Sequence, residues 1–288
     1  MKSFVSGFFI LLAQIGFCQD APDFKIDVSD MVIVPKQYII TKAPKSIKID
    51  GKAEKAWENA AFTDPFIDIA HGQTPKFQTR TKMMWDENYI YVYAELEEPH
   101  IWGDIVKRDE IIYLNNDFEV FIDPSPKTEA YAEIELNALN TVWDLLLNRP
   151  YRAQGYANFH WNLDELQTAA RVKGTINDPS DEDTRWTVEM AIPMRPLIEL
   201  KNDHRQLPKD GDQWRMNFSR VEWNYDLVDG EYTRKKVDGK LQNEYNWVWS
   251  SQTAINMHMP ENWGIVQFTD QISSEGIEFN LDPDLIYK

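Results

Sequence analysis

Alternation of apolar and polar residues over short runs is the feature that most limits how this chain can fold. In the run 117–123, Phe118, Val120 and Ile122 alternate with acidic residues, and the run 130–138 repeats the pattern. Successive side chains of a β-strand point to opposite faces, so each run predicts a strand with one apolar and one acidic face. Similar alternation marks further segments, at 77–99, 141–147, 185–193, 213–223 and 263–268.

Several short strands separated by Pro, Gly, Asn and Asp indicate an all-β fold. We predict an antiparallel β-sandwich, of jelly-roll or immunoglobulin-like type, with a few short helices and long loops. Two intervals, 148–170 and 226–246, lack strand character and between them contain Tyr, Trp, Arg and Asn. Because long loops in compact domains are commonly functional, we expect these intervals to form the rim of a binding groove.

The first 18 residues have the layout of a secretory signal peptide. Lys2 precedes the apolar run 8–12, and we expect cleavage after Cys18 and export, to the periplasm or the medium. The bulky Phe17 argues against a lipidated cysteine, and cleavage would leave a mature chain without disulfides. The predicted organisation is a signal peptide at 1–18, an extended leader at 19–40, the β-sandwich at 41–270 and a C-terminal tail at 271–288.

The formal net charge of −17 at pH 7 argues against two classes of partner. Nucleic acids and anionic membranes are bound through Lys and Arg, which acidic residues outnumber in this chain. The apolar run near the N-terminus is too short to span a bilayer, so membrane insertion is not expected. The charge suits a soluble exported protein that binds cations.

The acidic face of the strands at 117–123 and 130–138 has four interpretations: a solvated surface, a catalytic pair of carboxylates, a metal site, or the floor of a groove for a polar ligand. Glu133 and Glu135 lie about 7 Å apart by strand rise, within the spacing of inverting glycosidases. Two carboxylates on one strand share a side, however, whereas a hydrolytic pair flanks the scissile bond. A glycoside hydrolase that uses this face remains an alternative.

Other catalytic and metal-binding patterns are weak. The chain has no G-x-S-x-G motif, and no pair of its five His residues has metal-ligand spacing. Loop clusters of Asp and Asn offer the hard oxygen ligands that Ca²⁺ prefers. The weak candidates for such a site are Asp178, Asp181 and Asp183, and structural calcium is the one cofactor that we retain.

Six segments occur in a fixed order: IDGKAEKAW, WDENYIYVYAEL, NDFEVFIDP, WTVEMAIP, WRMNFSRVEW and HMPENWGIVQF. In this order they resemble the family 9 carbohydrate-binding modules, β-sandwich domains of the DOMON-like group that occur on xylanases and related polysaccharide-degrading systems. The resemblance covers residues 40–269. It implies a non-catalytic protein that binds xylan- or glucan-type oligosaccharides, in association with a polysaccharide-degrading enzyme.

The sugar site of that family is a slot between two tryptophans, and the resemblance carries it over in part. A glutamate that binds sugar hydroxyls falls on Glu119, and the first tryptophan falls near Tyr113. Glu135 takes the place of an arginine, and Met257 lies near the place of the second tryptophan. The chain therefore resembles the family more closely in its fold than in its sugar-binding residues. We expect the acidic face to be the floor of a groove.

The remaining site residues come from the strand 213–223. Sugars present apolar C–H faces and hydroxyl edges, so a sugar site needs flat rings with donors and acceptors beside them. The family's amide positions map onto Asn217 and Ser219, and we expect Arg220 and Trp223 to be rim contacts at the end of the strand.

Two further functions stay open beside carbohydrate binding. A related branch of the DOMON-like group binds haem through Met and His, and the chain has Met257, His258 and Met259 in sequence. Adjacent residues cannot ligate opposite sides of one haem. A domain that has lost its ligand and serves as an adaptor beside an enzyme is the other alternative.

Overall fold

The structure, a computed structural model, describes residues 35–125, 127–201 and 206–285. The expected signal peptide and the expected leader up to residue 34 lie outside these residues.

Seventeen β-strands and one short α-helix occur in the described part of the chain. The strands β1 to β17 are, in order, Gln37–Lys42, Ile67–Asp68, Thr79–Trp85, Tyr89–Glu97, Asp117–Asp123, Tyr131–Asn137, Val142–Leu147, Ala157–Asn158, Gln167–Lys173, Arg185–Pro193, Gln213–Glu222, Tyr225–Val228, Glu231–Arg234, Lys236–Val237, Lys240–Leu241, Tyr245–Val248 and Gly264–Phe268. Helix α1 is Met194–Leu200, and 3₁₀ turns occupy Lys55–Asn59, Ile112–Leu114, Tyr151–Ala153, Pro260–Asn262 and Pro283–Leu285.

Strand β1 joins the two halves of the fold. Its first residues pair in parallel with β17, where Gln37 lies opposite Ile265, and its last residues pair in parallel with β3, where Thr41 lies opposite Met84. On one side the strand order is β8-β7-β6-β5-β11-β17, with β16 beside the end of β11 and β2 beside β16. On the other side it is β3-β4-β10-β9. We call these halves the first sheet and the second sheet.

The apolar faces of the two sheets form the main core. Phe118, Val120 and Ile122 of β5 are fully buried there, together with Val92 and Leu96 of β4 in the second sheet. Complete burial of such a side chain contributes about 1.5–3 kcal/mol. The apolar residues whose alternation predicted these strands are therefore the residues that pack in the core.

The outer face of the first sheet carries a second buried cluster. Phe121 is offset by one residue from Val120 and so points away from the main core. Its ring centroid lies 5.5 Å from that of Trp263, which in turn lies 5.0 Å from that of Tyr131. Met257 belongs to the same cluster. This layer places the acidic residues of β5 and β6 in a recess rather than on an open surface.

The predicted β-sandwich is confirmed, and the only parallel pairings among the described strands are the two made by β1. Strand β1 begins at Gln37, so the sandwich starts inside the segment expected to be leader, 19–40. Strand β9 and two small hairpins, β12–β13 and β14–β15, occupy parts of the intervals expected to lack strands. In the described residues, no helix has the length and apolarity to cross a membrane.

Candidate functional site

A cavity of about 450 Å³ opens on the outer face of the first sheet. This volume lies in the usual range of ligand pockets. Strands β5, β6 and β7 form its floor, and the walls come from the loops on either side, including the interval 148–170 that was expected to form a rim. The floor residues are Glu119, Phe121, Glu133, Glu135, Trp143 and Leu145.

Four carboxyl groups lie close together on β5 and β6. Glu119, Glu133 and Glu135 line the cavity, and Asp117 lies next to them on β5 without lining it. Glu119 lies directly opposite Glu135 across the β5–β6 ladder, and Asp117 and Glu133 occupy neighbouring positions on the same two strands. The exposed fractions of Asp117, Glu119, Glu133 and Glu135 are 0%, 5%, 5% and 2%. Carboxylate oxygens of Asp117, Glu119 and Glu135 all lie within 4.8 Å of one another.

Burial and mutual repulsion both favour the protonated forms of these groups. Burial raises the pKa of Glu119 to about 7. Burial also raises the pKa of Asp117, Glu133 and Glu135 well above its ordinary value, and the charge of Glu119 adds to each of these shifts. The groups titrate as one unit, so the floor holds protons at pH values where exposed carboxylates have lost them.

Backbone hydrogen bonds fix two of the carboxylates. The backbone N–H of Val221 on β11 donates to Asp117 Oδ1 at 3.0 Å. The backbone N–H of Tyr113 donates to Glu135 Oε2 at 3.1 Å. Trp223 Nε1 in turn donates to the carbonyl oxygen of Tyr113 at 2.8 Å, which anchors the loop at the cavity mouth.

Three partly exposed aromatic rings stand around the cavity. Tyr113, Tyr151 and Phe159 are 41%, 45% and 52% exposed. Phe159 stacks on Trp143, with ring centroids 5.6 Å apart and an interplanar angle of 18°. Because the three rings are partly exposed, they can offer apolar surface to a ligand above the acidic floor. Tyr151 and Phe159 were not among the predicted site residues; their only sequence signal was the aromatic content of the interval 148–170.

Amides and a neutral histidine also line the cavity. Asn246, Asn256 and Met257 line it, with His258 between Tyr131 and Tyr151. His258 Nδ1 lies 3.1 Å from the hydroxyl oxygen of Tyr131, and burial lowers the pKa of His258 to about 4. The imidazole is therefore uncharged at neutral pH and acts as a hydrogen-bonding group.

The comparison that decides the family covers most of the chain. A family profile described as carbohydrate family 9 binding domain-like matches residues 49–270. The chain belongs to that family. The resemblance seen in the six sequence segments is thereby confirmed, and the protein is a carbohydrate-binding module of family 9 type.

Two solved structures share the fold of this module. A family 9 carbohydrate-binding module from Caldicellulosiruptor kristjanssonii in complex with cellotriose has a TM-score of 0.51 and 15% identity, over 85% of this chain and 100% of that one. A candidate carbohydrate-binding protein from Bacteroides uniformis has a TM-score of 0.57 and 15% identity, over 82% and 100%. Identities this low show the common β-sandwich fold alone.

Two xylanases contain segments similar to the module. Endo-1,4-beta-xylanase C of Paenibacillus barcinonensis is 29% identical over 86 residues, which are 30% of this chain and 7% of the xylanase. Endo-1,4-beta-xylanase A of Thermoanaerobacterium saccharolyticum is 28% identical over 106 residues, which are 36% of this chain and 8% of that enzyme. The chain thus matches less than a tenth of the length of either enzyme.

The structure brings four of the residues predicted for the module's site to one cavity: Tyr113, Glu119, Glu135 and Met257. Asn217 and Ser219 lie on the same face of β11 but do not line the cavity. Asn217 Nδ2 donates to the carbonyl oxygen of Ser250 at 2.9 Å and Asn217 Oδ1 accepts from Ser250 N, so its amide holds the covering segment. Ser219 is fully buried opposite Glu119.

Arg220 does not lie at the rim, which corrects the sequence-based expectation. It lies two residues after Phe218 on β11, so its side chain points to the same inner face, where it is fully buried. Its Nη2 donates to Glu98 Oε2 at 2.7 Å and to Glu222 Oε2 at 2.8 Å. Its Nη1 donates to the Glu97 carbonyl oxygen at 2.8 Å. Arg220 therefore stabilises the interior of the module.

Trp223 is also buried rather than exposed at the rim. It is 5% exposed, and the guanidinium of Arg234 lies 5.1 Å from its ring centroid. Its backbone N–H donates to Asn116 Oδ1 at 2.7 Å. Because its indole N–H also holds the Tyr113 loop, Trp223 supports the site from behind and offers no ring to a ligand in the cavity.

The three aspartates suggested for calcium accept hydrogen bonds within and beside their own loop. Asp183 accepts from the backbone N–H groups of Ile101 and Thr175, both at 2.7 Å. Asp181 Oδ1 accepts from the Thr175 hydroxyl, and Asp178 Oδ1 accepts from Ser180. Within the described residues, the group of three carboxylates close enough to share one ion is Asp117, Glu119 and Glu135.

Proposed function

We propose that this module is an exported, non-catalytic protein that binds xylan- or glucan-type oligosaccharides in the cavity on its first sheet. The observation that carries the proposal is the set of rings above a polar floor. Tyr113 and Phe159 are partly exposed and line the cavity together with Glu119 of its floor. Rings of this kind stack on the C–H faces of a sugar, while carboxyl and amide groups bind its hydroxyls.

The comparisons support this class of ligand. The solved family 9 module of similar fold is in complex with cellotriose, a glucan-type oligosaccharide. The two similar curated proteins are xylanases, which act on the other polysaccharide class of the proposal. By analogy, we infer that the module works in association with a polysaccharide-degrading enzyme.

The layout of the carboxyl groups supports binding rather than hydrolysis. Glu119 and Glu135 face each other on neighbouring strands and lie on one floor with Glu133. A hydrolytic pair must reach the scissile bond from opposite sides. We therefore expect the purified module to release no reducing sugar from any glycan that it binds.

A glycan array, followed by calorimetry on the best ligands, tests the binding proposal. Binding of β-1,4-linked gluco- or xylo-oligosaccharides, such as cellotriose and xylotriose, supports it. Binding of neither class, by a protein that melts cooperatively, overturns it. Hydrolysis of the bound glycan would leave the site in place but refute the non-catalytic assignment.

Export is a separate part of the proposal and rests on residues 1–18. Expression of the full chain in a bacterial host, followed by mass spectrometry of the secreted or periplasmic product, measures the cleavage site. We expect a mature N-terminus at Gln19. A chain that keeps its first 18 residues and stays in the cytoplasm would contradict the export proposal.

A further inference from the structure

The carboxyl groups of the cavity floor have little cationic compensation. The charge of Arg220 acts on Asp117 from the inner face of β11, but its guanidinium is bonded to Glu98 and Glu222. None of the described residues that line the cavity is Lys or Arg, and His258 at its wall is neutral at physiological pH. Asp117, Glu119 and Glu135 nevertheless bring carboxylate oxygens within 4.8 Å of one another. Buried charges in proteins are paired with an opposite charge or coordinate a metal.

Two oxygens at this place also have no hydrogen-bond partner. Asp117 Oδ2 and Glu133 Oε2 are both buried and unpartnered in the described structure. Asp117 is fully buried and Glu133 is 5% exposed. Buried polar atoms are nearly always hydrogen-bonded, so each exception needs an explanation such as a bound ion. Asp117 is one of the three carboxylates whose oxygens converge, so an ion held by those three gives Asp117 Oδ2 a partner. Glu133 stands outside that set.

We propose that Asp117, Glu119 and Glu135 form a Ca²⁺ site in the floor of the cavity. Ca²⁺ takes six to eight oxygen ligands at about 2.3–2.6 Å, so oxygens bound to one ion lie no more than about 5 Å apart. The observed spacing meets this limit. Ca²⁺ also accepts irregular coordination, which suits side chains from two flat strands better than the strict octahedron of Mg²⁺.

The position of this site gives it a role in ligand binding. Glu119 and Glu135 line the cavity, so the side of the ion that faces away from the strands points toward its open space. Water or two neighbouring sugar hydroxyls can complete the coordination there. This role rests on the proposed carbohydrate binding, whereas the ion site itself does not. Glu135, at the place of an arginine in the family's slot, becomes a metal ligand instead of a residue that binds sugar directly.

Titration of Ca²⁺ alone into the metal-stripped full chain tests the site. Calorimetry at about pH 7.5 should show one ion per chain, and Ca²⁺ should raise the melting temperature. Glu135→Gln and Asp117→Asn should each weaken Ca²⁺ binding by about tenfold or more, because each removes one charged ligand. Asp123→Asn is the matched control: Asp123 is on the same strand and fully buried, but outside the group.

The outcomes separate the ion from the sugar. Absence of Ca²⁺ binding up to about 10 mM, well above the range of weak extracellular calcium modules, overturns the site. Equal Ca²⁺ affinity in Glu135→Gln and in the unmodified chain also overturns it, provided that circular dichroism shows both folded. Sugar binding that persists unchanged in EDTA refutes the coordination of hydroxyls and leaves the proposed function intact. Ca²⁺ binding without any sugar binding supports the site and counts against the proposed function alone.

Discussion

Glu119 and Glu135 lie directly opposite each other on β5 and β6, on the face that carries the cavity. Like charges at directly opposite positions destabilise a sheet. Both side chains are also buried, with exposed fractions of 5% and 2%, which adds a desolvation cost to the repulsion. This arrangement disfavours the folded state unless a proton, a cation or a ligand neutralises it, so stability and binding should both depend on the charge of this pair.

Replacing Glu119 with Gln should weaken binding of the best glycan. The loss should be about 1.5–3 kcal/mol, the usual contribution of a hydrogen bond to a charged group. Calorimetry above neutral pH measures it, because burial raises the pKa of Glu119 to about 7 and the carboxylate is ionised only above that value. Glu275→Gln, at an exposed position, is the control. Unchanged affinity in Glu119→Gln would show that the sugar does not depend on this carboxylate.

Stability in metal-free buffer should depend on pH through the same residue. The folded pKa of Glu119, about 7, lies above the value of a free glutamate, so the folded state keeps a proton that the unfolded chain releases. The stabilisation from this proton is complete at pH values below the pKa that Glu119 has in the unfolded chain. It is lost, by about 3 kcal/mol in all, as the pH rises to the pKa that Glu119 has in the folded protein. Urea unfolding at about pH 5 and about pH 8 measures this change.

The pH effect has a clear signature in variants. Glu119→Gln should lose part of the decrease in unfolding free energy between the two pH values, because the amide does not titrate. Glu275→Gln should keep the full decrease, since that residue is exposed. An identical pH dependence in Glu119→Gln and the unmodified chain would contradict the raised pKa of this group.

Local patterns predicted much of the fold because strand alternation is a short-range signal. The strands at 117–123, 185–193 and 213–222 correspond to segments chosen from the sequence. Strand β1 was assigned to a leader because its neighbours along the chain are Pro-rich. Its partners in the sheet are β17 and β3, and the pairing of Gln37 with Ile265 joins residues at opposite ends of the chain. No local pattern encodes such a pairing.

The burial of the acidic face also could not be predicted from the local sequence. Alternation assigned Glu119 to the polar face of β5, and whether that face meets solvent or a second layer depends on distant segments. Trp263 and Met257, more than a hundred residues along the chain, supply that layer. Arg220 is different, because its parity with Phe218 on β11 was available in the sequence and already indicated the inner face.

Removing the exposed rings should weaken sugar binding without loss of stability. Tyr113→Ala and Phe159→Ala should each cost about 1 kcal/mol of binding free energy through lost stacking. Tyr156→Ala is the matched control, since Tyr156 is 66% exposed and does not line the cavity. Calorimetry with the best glycan compares the three variants. Equal losses in all three, or none in the first two, would place the sugar elsewhere on the module.

Arg220→Met should destabilise the module strongly while sparing its sugar site. Met has a similar length but no charge, so Glu98 and Glu222 would stay buried without the cation that now bonds to both. Breaking a buried ion pair in this way costs about 3–5 kcal/mol, measured by urea unfolding. Adding Glu98→Gln and Glu222→Gln should recover part of the loss, because the uncompensated charges disappear.

The control is Arg195→Met, which should have little effect because the side chain of Arg195 is 88% exposed. Since Arg220 lies on the face of β11 opposite the cavity, the folded variant should bind sugar as the unmodified chain does. Reduced sugar affinity at unchanged stability would instead make Arg220 a groove contact.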